Sequence, residues 1–271
     1  MLSKVFASIA VVITGGLLLL GVADFPDFGD PNSPPNAGVN GGGESISQYF
    51  ITETYTDTKV PNIVTAVLAD YRGYDTMFET VVVFAAGIAI FAILRVMGDH
   101  NDPGQTKKRP TGQEAVAESF VDGDHGRIII GITCRIIIPL VQIFALYVVA
   151  HGHHSPGGGF QGGVLMGASF ILLALSSDLN AALRRFSETN YFALAAIGIL
   201  IYAGFGLVCQ FLEKNFLDYG ILQKVLFTDG PEMARSHSML GVEIGVAFTV
   251  TAIMFSIYAN LSSRGVLKNG L

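Results

Sequence analysis

The chain has 271 residues, 51% of them apolar and only 14% charged, with a formal charge of −6 and a mean hydropathy of +0.51. A soluble domain carries about 25% charged residues, so this composition excludes a soluble globular protein, and its acidic balance gives nucleic acid nothing to bind. Cys134 and Cys209 lie inside apolar runs with no CxxC spacing, which argues against iron–sulfur ligation and structural zinc.

Stretches at about 5–23, 77–97, 128–150, 161–177, 190–211 and 238–260 approach or reach the roughly 20 apolar residues that cross a bilayer. They predict an all-α integral membrane fold with six transmembrane helices. No inverted repeat relates them, which argues against a self-contained secondary transporter. The first run follows Lys4 and ends in Gly21-Val22-Ala23 before Asp24. That layout fits a cleaved signal peptide as well as an anchor; we read it as an anchor. With the N-terminus in the cytoplasm, Lys4, Arg95, Lys107, Lys108, Arg109, Arg127, Arg184, Arg185, Arg264 and Lys268 fall inside. Lys59, Arg72, Lys214, Lys224 and Arg235 fall outside, so the positive-inside rule favours both termini in the cytoplasm.

Residues 24–59 then form an external loop. Its first part is rich in Pro, Gly, Asn and Asp and has little to bury. From Ser45 to Thr58, recurring Tyr, Phe, Ile and Thr offer a docking surface.

The next stretch, PNIVTAVLADYRGYDTMFE at 61–79, sets Asp70, Arg72, Asp75 and Glu79 directly against an apolar run. Charge at the edge of a span is costly and serves function or pairs internally. On a helix Arg72, Asp75 and Glu79 share one face, as an ion path requires. Sodium needs several oxygen ligands, which these carboxylates, Thr76 and backbone carbonyls can supply. For Asp70 and Arg72 a structural salt bridge competes with ion handling.

Residues 98–126 read as a polar cytoplasmic linker, and composition places the domain boundary there. The third span carries Arg135, which either snorkels to the interface or pairs with a neighbouring chain. Pro139 one turn later kinks it, and Gln142 adds a polar group. The turn GHHSPGGGFQGG at 152–163 is nearly uncharged and joins two spans. It predicts a tight re-entrant or packed turn, because bare backbone at membrane depth is tolerated only where it lines a cavity or bonds a neighbour. His151, His153 and His154 have the spacing of a metal site, but no acid or Cys completes the set. We expect no metal, and note that His153 suits proton relay. Glu243, an acid within the sixth span, is either an ion-handling group or a hydrogen-bonded packing residue.

These residues carry two resemblances. NIVTAVLADYRGYDTMFE with its following span resembles the C-terminal region of the large Mrp antiporter protein and the matching MbhE-type component of membrane-bound hydrogenases. Arg135 and Pro139 in a span, LYVVAHGHHSPGGGFQGGVL, and EIGV from Glu243 to Val246 resemble the MnhB/MrpB subunit. The resemblance implies that two modules are fused here: an MbhE-like part at 1–97 and an MnhB-like four-helix part at 127–271. It places Glu79, the acid closing the DTxxE segment, on a cation route. It associates the turn at His153, Pro156, Gly157, Gly158, Gly159 and Phe160 with antiport. Relatives often carry Asp at the last-span acid, where this chain has Glu243.

The expected function is therefore that of a non-catalytic membrane subunit of a Na+/H+ antiporter or of a respiratory complex with an Mrp-type module, such as a membrane-bound hydrogenase. It would contribute to a cation path and to assembly. The alternative is a purely structural adaptor. The expected ions are Na+, H+ or both, with no cofactor on this chain. The expected partners are the other subunits and the lipid of the cell membrane.

Overall fold

The computed structural model describes residues 2–37, 45–99 and 124–263. All regular elements among them are helical. The chain divides into two units, Met1–Glu53 and Thr54–Leu271.

The first unit opens with α1 (Leu2–Ala23). Its window has a hydropathy of 2.5 and buries nothing. A helix apolar on all sides with no protein around it is stable only in lipid. The short α2 (Pro34–Ala37) follows, and α3 (Ile46–Thr58) runs on into the second unit.

The second unit is a helical bundle. The short α4 (Ile63–Ala66) passes into a π turn at Val67–Tyr71. Then come α5 (Gly73–Asp99), α6 (Asp124–Ala150), α7 (Gly159–Ser176), α8 (Leu179–Arg185), α9 (Glu188–Phe211), a 3-10 turn at Tyr219–Leu222, α10 (Gln223–Leu226) and α11 (Pro231–Ser263). The centre is α11: 67% of its apolar window is buried, against 11% for α5. Around it pack α5, α7 and α9, and α6 lies against the far side of α7. Hydroxyls tie these crossings together. Thr249 Oγ1 donates to Ala195 O at 2.9 Å, and Thr251 Oγ1 donates to Gly163 O at 3.1 Å. At the other end Arg95 pairs with Glu188 at 2.5 Å and lies over the Phe91 ring.

Together with α1, the helices long and apolar enough to cross a membrane number six among the described residues, and the protein is a multi-pass membrane protein. Two spans exceed their expected limits. The second starts at Gly73 rather than 77, and the sixth runs from Pro231 rather than 238. In the latter case Arg235, Ser236 and Ser238 have tertiary surroundings that hold them in helix, and hydropathy does not register these. The linker at 98–126 lies outside the described residues over 100–123.

Candidate functional site

Three separated segments meet around Glu243. The first is the start of α4. Asn62 has an extended backbone and caps the helix, its Oδ1 accepting from Val64 N at 3.1 Å. Its Nδ2 donates to Gly152 O at 2.7 Å, to Ser155 O at 3.0 Å and to Thr65 Oγ1 at 3.0 Å. Its backbone N–H donates to His153 O at 3.0 Å, and Thr65 Oγ1 donates to Gly152 O at 2.8 Å. Asn62 and Thr65 thus clamp the glycine turn, which lies far along the chain from them.

The second segment is that turn. Gly158 N donates to Val148 O at 3.2 Å, which folds the turn back on the end of α6. Gly158 has φ of +130°, a conformation L side chains rarely adopt. Of the three successive glycines only Gly158 has positive φ. Gly159 is already helical, and so are Phe160, Gly162 and Gly163. The segment is a short packed turn feeding a helix. Its later glycines serve the approach of α7 to α11: a Cβ on Gly159 would overlap the carbonyl oxygen of Glu243.

The third segment is Glu243 itself, 9% exposed at mid-length on α11. Its carboxyl faces the turn. A Cβ on Gly152 would lie 3.1 Å from Oε2, and one on Gly158 would lie 3.0 Å from Oε1 and 3.4 Å from Gln161 Oε1. Glu243 Oε2 is buried with no hydrogen-bond partner, and so is His153 Nε2. Burial pushes the His153 imidazole below its ordinary value, and His154 and His237 add to this. His151 stacks on Tyr147 at 4.8 Å, and no group of three or more His, Cys, Asp or Glu among the described residues could hold a metal ion.

The acidic motif divides. Asp70 on the π turn is buried and accepts from Arg235 Nε at 2.6 Å. Arg235 also reaches Asp57 Oδ2 at 3.9 Å, where Tyr71 OH donates at 2.8 Å. Burial raises the Asp70 carboxyl above its ordinary value, and Arg235 offsets part of the rise. Arg72 terminates the π turn and pairs with Asp75 at 2.5 Å; both are exposed. Thr76 Oγ1 donates to Leu68 O at 2.8 Å, satisfying a carbonyl that the π turn leaves over. Glu79 is exposed on α5 within the span. The expected stripe is thus an ion pair at the helix start with Glu79 beyond it, while Asp70 turns inward. Arg135 and Phe160 are exposed, and Gln142 Nε2 donates to Ser169 Oγ at 3.1 Å.

The model for a domain related to the MnhB subunit of Na+/H+ antiporters matches residues 129–256, and the MbhE model, which describes a component of MBH, matches 40–109. A putative antiporter protein, mnhB2, of Staphylococcus epidermidis is 31% identical over 130 residues, which are 47% of this chain and 89% of that protein. The chain belongs to the MnhB family of antiporter subunits. A probable K(+)/H(+) antiporter protein of the fused A/B type from Rhizobium meliloti is 27% identical over 64% of this MnhB-family chain, which spans only 18% of that relative's length. Two solved structures share the fold at 23% identity, each over 94% of this chain. A chain of the archaeal membrane-bound sulfane sulfur reductase has a TM-score of 0.54 and is 98% covered. A chain of the Mrp complex from Dietzia sp. DQ12-45-1b has a TM-score of 0.53 and is 26% covered.

Asn62, Thr65 and Gln161 carry no charge, so the search for intramembrane charge passes over them. In this MnhB-family chain the signal for Asn62 was present: an Asn three residues before a Thr at a helix start is a capping pattern.

Proposed function

We propose that this chain is a non-catalytic component of a multisubunit cation/proton antiporter, or of a respiratory membrane complex with such a module, and that it lines part of the ion path. Family membership supports the antiporter part, and the similar structures, each drawn from a membrane complex, support the assembly part. The observation that carries the ion-path part is Glu243 Oε2, buried without a partner where the clamp of Asn62 and Thr65 meets the glycine turn. A packing carboxylate would be saturated with hydrogen bonds; this one is held ready for an ion.

Glu79 extends the reading outward. Exposed on a span, its carboxylate needs a neighbouring chain to cover it. The path at Glu79 is therefore shared between chains, and the two modules, 1–97 and 127–271, meet the rest of the complex with both termini in the cytoplasm. The test is Glu79→Gln and Glu243→Gln in the assembled complex, with assembly checked by native gel and sodium-dependent proton movement followed in inverted vesicles. Lost transport in normally assembled complexes is the expected result. Normal transport in both variants would leave the chain a structural adaptor.

A further inference from the structure

The chamber at Glu243 has an oxygen inventory that discriminates between ions. A hard cation such as sodium takes several oxygen ligands at once. Glu243 offers two carboxylate oxygens, and Gln161 Oε1 faces the same point above Gly158. The other nearby oxygens are committed. Gly152 O already accepts from both Asn62 Nδ2 and Thr65 Oγ1, which fills its two lone pairs. Thr65 Oγ1 accepts from Asn62 and donates to Gly152. Ser155 O accepts from Asn62, Asn62 Oδ1 accepts from Val64 N, and Val148 O accepts from Gly158 N. The clamp that shapes the chamber uses up the carbonyls a sodium ion would need. Around the carboxylate on its own helix stand Met239, Val242 and Val246, all buried.

A proton makes no such demand. One carboxylate oxygen suffices, and the acid so formed is neutral and suits an apolar wall. The second unpartnered atom, His153 Nε2, belongs to the residue next to Gly152, and imidazole nitrogen is a proton-exchanging group, not a ligand for sodium. His153 is half-buried and is followed by exposed His154. The remaining titratable groups that act here are Tyr202 on α9, which feels Glu243, and His154 and His237, which act on His153. From α4 and α7 come the neutral Asn62, Thr65 and Gln161.

We infer that the Glu243 chamber takes a proton and not sodium, with His153 as the group that exchanges it with the surface of the turn. The proton adds to the Glu243 carboxylate to give the neutral acid and leaves by the same bond. This rests on the ion-path reading above.

The experiment measures the pH profile and the sodium half-saturation of transport for Glu243→Asp in the assembled complex. That change keeps the acid but withdraws it from the turn. The expected result is a pH profile displaced by about one unit, the size of a typical environmental shift, with the sodium half-saturation unchanged. A displaced sodium half-saturation with an unmoved pH profile would overturn the proton assignment and leave the ion-path reading standing. Both quantities unchanged, with transport intact in Glu243→Gln, would sink the ion-path reading itself and the proposal with it. Should Glu243→Asp fail to assemble, His153→Gln decides: a changed pH profile at unchanged sodium half-saturation supports the proposal, and an unchanged profile overturns it.

Discussion

Gly159→Ala tests the geometry most directly. Its added Cβ would overlap Glu243 O and sit 2.7 Å from Glu243 C and 3.0 Å from its Cα. These are backbone atoms and cannot rotate aside, so α7 must withdraw from α11. Overpacking of this kind costs about 1–3 kcal/mol, and the better helix propensity of Ala returns at most about 1 kcal/mol. The net expectation is a loss of roughly 1–2 kcal/mol. The same crossing supplies its own gradient. At Gly163 a Cβ would lie 2.9 Å from Val250 Cβ and 3.0 Å from Ala247 O, and at Gly167 it would lie 3.0 Å from Met254 Cβ and 3.2 Å from Thr251 O. Severity should fall from Gly159 through Gly163 to Gly167. At Gly204 nothing lies within 4 Å, so Gly204→Ala should be neutral or slightly stabilising. The assay is thermal unfolding of the four variants in the detergent-solubilised complex. Gly159→Ala melting with the wild type, or Gly204→Ala falling as far as Gly159→Ala, would refute the close crossing. Because the clash falls on Glu243 itself, Gly159→Ala should also reduce transport more than Gly163→Ala does.

Other consequences follow from the clamp and the ion pairs. Asn62→Ala strips donors from Gly152 O and Ser155 O and should cost about 1–3 kcal/mol; hydrogen exchange should quicken across 151–158, and unchanged exchange there would count against the clamp. Asp70→Asn removes the nearer partner of the half-buried Arg235, whose other carboxylate is 3.9 Å away, and should cost about 2 kcal/mol or more in thermal unfolding. Asp75→Asn breaks a pair whose side chains are 63% and 48% exposed and should change stability by no more than about 0.5 kcal/mol in the same assay. His153 is held below its ordinary value, so the folded turn binds the proton less readily than the unfolded chain. The stability it contributes is present above a pH of about 6.5 and declines as the pH falls below that. Exchange across the turn should therefore quicken on acidification, and His153→Gln should flatten that dependence.

Hydropathy alone determines the helical class and the six spans, because a bilayer admits few other structures and each span must satisfy its own backbone. The motifs also single out Glu79, Glu243 and the glycine turn, since intramembrane acids and bare backbone are costly wherever they occur. Partnership is decided only by the tertiary structure. Asp70 and Arg72 are near neighbours in the chain, yet one turns inward to Arg235 and the other pairs outward with Asp75, because the π turn ends between them. That Asn62 and Thr65 would reach Gly152 cannot be read from a linear chain: the contact joins distant segments and depends on α4 lying against the end of α6. The run GGGFQGG reads as a loop by composition, yet from Gly159 it is helix. Local propensity penalises glycine in a helix by about 1 kcal/mol, and the close approach of α7 to α11, available only in the packed bundle, outweighs it.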